Sequence, residues 1–367
     1  MKKHSVILLI ALFIVVFAGC GTKPEPDRNS SSAVYESETV GDTISEETEG
    51  SENSEEESNN SNDSASVKPV SYTWNPSVYN KAYIEYLGED TEIMYHEMVS
   101  AILNREAGFA CSMKYYEQLY PIISTCFPCA ERIVSFGFLD VEDESVDFTD
   151  QQGTVSLEYL ISEEEQNSIL KEFGARVEEL ICSSVCTGDS DTVSAIAVYN
   201  RFCQNLIYDY DAAEEDSQDD VSPYRAIMES SGICQSFAPA YAHLCVQLQI
   251  PACSTGGLNA DNTQSHEWTQ LKLDDVYYYA DPTWQTDGGL NWFGFTSEYR
   301  ETHDDYPASM QNIGELNLYR ADEVPVGDDR FDELRNCIYN VEITREGNTL
   351  TIHANDESGL PVTVSIQ

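Results

Sequence analysis

The stretch from Gly232 to Asp281 constrains the fold more than any other, because it asks for a thiol at the start of a packed helix and a hairpin soon afterwards. In Gly232-Ile233-Cys234-Gln235-Ser236-Phe237-Ala238 a helix breaker precedes the cysteine. Phe237, Tyr241, Leu244, Cys245 and Leu248 then share one helical face, which predicts packing against a core. A proline deep inside a helix costs ~3 kcal/mol, so Pro239 has to lie in the first turn or mark a kink. The helix therefore begins close to Cys234. A thiol at that position faces unpaired N–H groups and the positive end of the helix dipole, which favour the thiolate, the nucleophilic form.

A nucleophilic thiol needs a general acid and base, and His266 is the best placed of the six histidines. It opens the alternating run His266 to Leu273, and a second strand, Val276 to Asp281, follows Asp274-Asp275. A two-residue turn pairs Leu273 with Val276 and sets His266 opposite Thr283. Asp281 then lies two positions away on the same face, within diagonal side-chain reach. A three-residue loop would move Asp281 to the other face and separate the two. With the shorter turn, Asp281 accepts from the imidazole and holds its tautomer, completing a Cys234, His266, Asp281 triad.

The order of these three residues resembles the transglutaminase-like superfamily of papain-like cysteine enzymes. The likeness rests on Gly232-Ile233-Cys234-Gln235, Gly257 in the link, His266-Glu267-Trp268 and Asp281-Pro282-Thr283-Trp284. It covers about 190–300, with Ile207-Tyr208-Asp209 and Ser222 to Ala226 also similar to bacterial members. Glu267 stands where a small residue is common, and Asp275 where glycine often sits. The resemblance implies an α+β core with the cysteine helix packed on an antiparallel sheet. It also implies acyl transfer at protein or peptide amide bonds through a thioester, without cofactor or metal, by hydrolysis or by amine capture. Tyr208 is the candidate second oxyanion donor beside the Cys234 N–H, or else a core aromatic. A lipoprotein that keeps the fold as an inactive binding or adhesion module is the alternative.

The start of the chain reads as an address. Met1-Lys2-Lys3, an apolar run from Val6 to Ala18 and then Gly19-Cys20 resemble a bacterial lipoprotein signal, which makes Cys20 the lipidation site. The run is shorter than the ~20 residues of a spanning helix. The resemblance places the protein on the outer side of a bacterial cell membrane, held by lipid. Residues 21–70 carry thirteen acids against three bases and almost no large apolar side chains, the composition of an extended, disordered tether. Most of the formal charge of −46 therefore sits in the folded part. Such a field disfavours nucleic acid and favours cationic partners such as lysine-bearing polypeptides.

The domain reading is a signal peptide at 1–19, a tether at 20–70, an α+β leader at 71–188, the catalytic core at 189–310 and a β-rich segment at 311–367. In the leader, Met94, Tyr95, Met98, Val99 and Ile102 predict a helix over about 90–105, and Tyr115 to Tyr120 another. Val155 to Ile161 alternate as a strand. Ser162 with Glu165 forms a capping box ahead of a helix bearing Phe173, Val177, Leu180 and Ile181. A further helix is predicted at about 191–206. Ser222 and Pro223 open a short one that Gly232 ends in a left-handed conformation. Glu342 to His353 reads as a hairpin and Pro361 to Ile366 as one more strand.

The remaining chemistry-bearing residues have plainer readings. Cys126-Phe127-Pro128-Cys129 and the Cys182/Cys186 pair suit disulfides better than zinc, whose ligands want better-defined spacing. Cys203 and Cys245 read as small core residues. His96, His243, His303 and His353 read as surface or satisfied structural groups. Asp209 and Asp211 read as loop solvation or capping rather than a calcium site.

Overall fold

The computed structural model describes residues 68–141, 152–214, 221–258, 265–286, 288–303 and 327–367. Residues 1–67, with the signal reading and nearly all of the tether, lie outside the described residues, as does the start of the C-terminal segment. Residues 68–70, read as the end of the tether, instead pair with the chain at 185–186: the Val70 N–H bonds the Val185 carbonyl at 3.0 Å, and Pro69 bridges to Cys186. Among the described residues no helix is long and apolar enough to cross a membrane.

The leader opens with helices α1 (Lys81–Leu87) and α2 (Asp90–Leu103), strand β1 (Gly108–Ser112), and a 3₁₀ turn at Met113–Gln118 that runs into α3 (Leu119–Cys126). Tyr115 and Tyr116 thus sit in 3₁₀ geometry, and the α-helix begins only at Leu119. After the short α4 (Ala130–Ile133) come β2 (Val134–Val141) and β3 (Gln152–Tyr159), which with β1 form an antiparallel sheet of order β1-β3-β2. Helix α5 (Glu163–Cys182) starts at the Ser162–Glu165 capping box, with both reciprocal bonds formed. Its Phe173, Val177, Leu180 and Ile181 are buried, as their spacing predicts.

The core begins with α6 (Asp191–Cys203), capped by Ser190, whose side chain accepts from the Val193 N–H. Next come β4 (Ile207–Tyr208), α7 (Tyr210–Glu214), α8 (Pro223–Glu229), β5 (Ser231–Gly232) and α9 (Cys234–Gln247). Strands β6 (Ala252–Leu258), β7 (Ser265–Leu273), β8 (Val276–Ala280) and β9 (Phe293–Phe295) then make a four-stranded antiparallel sheet in sequence order. Helix α10 (Ser297–His303) follows. Beyond a 3₁₀ segment at Asp329–Asn336, strands β10 (Tyr339–Glu346), β11 (Thr349–Asn355) and β12 (Pro361–Ile366) form a separate antiparallel sheet. The fold is α+β.

Helix α9 is the centre of the molecule. Nearly every one of its residues is buried, not only the apolar face that the sequence marks. One side meets the four-stranded sheet, where the Thr269 hydroxyl donates to the Ala238 carbonyl at 2.8 Å. The other side meets the leader. There the His243 Nδ1–H donates to the Thr125 carbonyl at 2.8 Å, and Trp74 Nε1–H donates to His243 Nε2 at 3.3 Å. A buried polar side chain is tolerable when each of its groups is bonded, and His243 meets that condition as a neutral ring. Full burial of side chains such as Phe237 and Leu244 contributes on the order of 2 kcal/mol each. One hydrophobic core runs from Tyr79 in the leader to Ile366 in the last strand.

Two local readings change. Helix α8 is ended by Ser230, which takes the left-handed conformation (φ 55°, ψ 30°), not by Gly232. Gly232 is needed for space. A Cβ there would lie 2.6 Å from Ser236 Cβ and 2.8 Å from its hydroxyl. Gly257 is no linker either, since it lies in β6 directly opposite His266.

Candidate active site

The turn between β7 and β8 decides the register. Asp274 and Asp275 both adopt positive φ, 48° and 65°, which is the backbone of a two-residue hairpin turn of the primed kind. Leu273 therefore pairs with Val276, Gln270 with Tyr279, and Thr269 with Ala280. The same register carries His266 and Asp281 onto one face, two positions apart across the strands. Nε2 of His266 lies 2.7 Å from Oδ2 of Asp281.

Asp281 is completely buried and held on every side. Its Oδ1 accepts the Thr283 N–H at 3.0 Å, which caps the 3₁₀ turn Pro282–Gln285. Its own N–H donates to the Trp292 carbonyl at 2.9 Å, and its carbonyl accepts the Tyr199 hydroxyl at 2.9 Å. A carboxylate fixed in this way fixes the imidazole. Trp284 adds a ring contact to His266, with centroids 5.1 Å apart. With Nε2 committed to Asp281, proton exchange with a thiol has to run through Nδ1.

Cys234 stands at the first residue of α9, and Pro239 is the sixth. The missing proline N–H leaves the Gln235 carbonyl without its helical partner, but the helix continues. Cys234 is completely buried.

Tyr208 is brought to the cysteine loop by β4, which pairs in parallel with β5, setting Tyr208 beside Gly232. The Asp209 N–H bonds the Gly232 carbonyl at 2.9 Å, and Ile207 N–H the Ser230 carbonyl at 2.8 Å. Tyr208 is buried, so the pairing brings its backbone next to the loop that leads into Cys234. Asp209 caps α7 by accepting from the Ala212 N–H at 2.9 Å and meets Arg225 at 2.7 Å. The backbone bonds and the guanidinium hold its carboxyl below the usual range.

Three supports of the site were invisible in the sequence. Tyr199 reaches Asp281 across 82 positions, and no local motif announces such a contact. Trp292 supplies its carbonyl from beyond the 3₁₀ turn. Arg300 is fully buried with its guanidinium 3.0 Å from the centre of the Trp268 ring, on the sheet face that also carries His266. Burial raises the Glu267 carboxyl to about 7, against a hydrogen bond from Ser254. Cys126 and Cys129 are both free, buried thiols whose pKa burial pushes upward, and Cys182 and Cys186 are also free. Among the described residues no group of three or more His, Cys, Asp or Glu converges as metal ligands.

A cysteine at the start of a central helix, packed on an antiparallel sheet that pairs a histidine with an aspartate, defines a protein with a papain-like core. Residues 182–282 match the transglutaminase-like superfamily, so this part of the chain is a transglutaminase-like domain. Among solved structures, one described as a TGase is 13% identical over 42% of this chain and 46% of that one, with a TM-score of 0.27. The periplasmic domain of TgpA from Pseudomonas aeruginosa, bound to ethylmercury, is 14% identical over 42% of this chain and 68% of that one, with a TM-score of 0.23. The chain thus spans less than half of the first structure. No curated protein matches it.

Proposed function

We propose that the chain is a cysteine acyl-transfer enzyme acting on protein or peptide amide bonds, with Cys234 as nucleophile, His266 as general acid and base, and Asp281 as the group that orients it. The observation that carries this reading is the 2.7 Å bond between His266 Nε2 and Asp281 Oδ2, buried on the strand pair that faces the cysteine helix. The reduced Cys234 thiolate attacks the carbonyl carbon. The Cys234 N–H, at the first helical position, stabilises the oxyanion, and the Tyr208 hydroxyl is the second donor. His266 protonates the departing amine through Nδ1, leaving a thioester. Water deprotonated by His266 then releases the acid, or a primary amine captures the acyl group. The protein works at the outer face of a bacterial membrane, lipid-anchored at Cys20, which lies outside the described residues.

A second reading has its own support. The complete burial of Cys234 favours a module that keeps the fold for binding. The two readings separate after mild reduction, by titrating a thiol-alkylating probe at pH 6 and identifying the labelled cysteines by mass spectrometry. An enzyme labels Cys234 ahead of the other cysteines and loses that preference in His266→Ala. A binding module labels Cys234 no faster than buried Cys245. Weighing the protein after incubation with a peptide substrate pool, with and without a primary amine, then distinguishes hydrolysis from amine capture.

A further inference from the structure

Strand β1 is an edge of its sheet, paired among the described residues only with β3. The Leu157 N–H donates to the Ala107 carbonyl at 2.9 Å, so residues 107, 109 and 111 direct their backbone bonds toward β3. Gly108 and Ala110 turn theirs outward, while the Ser112 carbonyl accepts from the Cys111 thiol at 3.3 Å. Beside that edge runs the solvent-facing stripe of α2, where Ile93, Glu97 and Ser100 follow one another at helical spacing. Edge and stripe line an open groove of about 540 Å³, floored by Phe109. Ile93 is 60% exposed, an apolar side chain presented to solvent at the rim, and Ala110 is exposed on the strand.

The charges in this groove have one sign. Glu97 and Glu106 line it. Arg105, next in sequence to Glu106, is tied elsewhere: its guanidinium bonds Gln166 Oε1 at 2.7 Å and the Ile161 carbonyl at 2.9 Å, and lies 4.2 Å from the centre of the Tyr159 ring. His96, also in the lining, bonds the Ser77 carbonyl through Nε2 at 3.1 Å. An unpaired strand edge flanked by a helix is the geometry in which an extended peptide adds a strand, gaining backbone bonds along the edge and pockets for alternate side chains.

We propose that the groove between α2 and β1 binds an extended, lysine- or arginine-bearing segment of another protein as an added strand on β1. Basic side chains on one face of the guest meet Glu97 and Glu106. Apolar ones on the other face enter the groove between Ile93 and Phe109. This binding requires nothing of Cys234 and stands whether or not the chain is an enzyme.

The test is a fluorescence-anisotropy titration of the full chain at about 0.1 M salt with a labelled peptide alternating lysine and valine, four of each. Saturable one-to-one binding is expected, along with slowed amide exchange over 108–112. The double variant Glu97→Lys, Glu106→Lys should weaken it at least tenfold, and should bind the corresponding glutamate–valine peptide instead. A diffuse attraction to the acidic chain would survive a change at two of its 65 acidic positions, so undiminished binding by the double variant overturns the proposal. So does a valine–lysine peptide that leaves 108–112 unprotected, or a shift to a dimer of the chain. Ala110→Pro removes one outward donor, and Ala110→Asp adds repulsion to an acidic guest without removing it. Tenfold weakening by the first with retained lysine–valine binding by the second is expected, each variant being checked for an unchanged thermal midpoint, and equal effects of the two overturn the edge geometry.

Discussion

His266 and Asp281 meet at 2.7 Å although neither faces the other directly in the ladder: the register places Trp268 opposite Asp281, and the imidazole reaches across the diagonal. A diagonal contact is sensitive to register in a way that a local motif is not, because a slip of one residue turns one of the partners to the other side of the sheet. Its chemical role can be isolated by Asp281→Asn. The amide keeps the shape, but with its oxygen accepting the Thr283 N–H its NH2 faces the imidazole, and Nε2–H loses its acceptor. In the reduced protein, Cys234 alkylation at pH 6 should slow by at least about tenfold, and turnover of any amide substrate by on the order of 10²–10⁴-fold. An unchanged alkylation rate would remove Asp281 from the triad.

The turn that sets this register is strained by its own residues. Asp275 holds φ 65° with a side chain that is almost fully exposed, and its ion pair to Lys272 is long at 3.7 Å. Glycine adopts that conformation without the Cβ penalty. Asp275→Gly should therefore raise stability by about 1 kcal/mol in calorimetry while leaving the His266–Asp281 pair in place. Asp274 is a poorer target, since its carboxylate accepts from Arg330 at 2.8 Å.

Close approach at Gly232 predicts the opposite sign. In Gly232→Ala the new Cβ meets Ser236 at 2.6 Å, within the first turn of α9. The clash displaces the start of the helix that carries Cys234. A loss of about 1–3 kcal/mol in urea titration is expected, with slower Cys234 labelling after reduction. Stability equal to that of the parent would show that the loop has slack.

Acid should unfold the protein partly through His243. Burial lowers its pKa from 6.5 to about 4. The folded state keeps this ring neutral while the unfolded chain takes up a proton below pH 6.5, so stability falls as pH drops from about 6.5 to about 4. The full effect is ~3 kcal/mol. Denaturant midpoints across that window should slope downward toward acid, and the slope should flatten in His243→Gln even though that variant is less stable at pH 7.

Glu267 works in the other direction. Its carboxyl, raised from 4.5 to about 7, keeps a proton in the folded state that the unfolded chain gives up above pH 4.5. Stability from this group is thus lost as pH rises from about 4.5 through 7. Glu267→Gln should stabilise the chain more at pH 8 than at pH 5, read as a pH-dependent difference in thermal midpoint. A constant difference would mean that the carboxyl is not held protonated.

The sequence by itself determined the parts of this protein whose signals are local. The Ser162–Glu165 box, the cap at Ser222 with Pro223, the alternation of His266 to Leu273 and the helix opened by Cys234 all follow from interactions within a few residues, and they stand where the periodicity puts them. The hairpin register was legible too, since side chains alternate with period two and only one loop length brings His266 and Asp281 to the same face. Tertiary structure alone decided the rest. Helix α9 is buried on all sides because the leader covers the face that carries His243 and Gln247, polar residues that read as solvent-facing until Thr125, Trp74 and Asn75 supply their partners. Tyr199 and Trp292 hold Asp281 from far along the chain, and Ser230, not Gly232, absorbs the left-handed turn. Such contacts depend on which surfaces come together in three dimensions, and no pattern within a single segment encodes its distant partner.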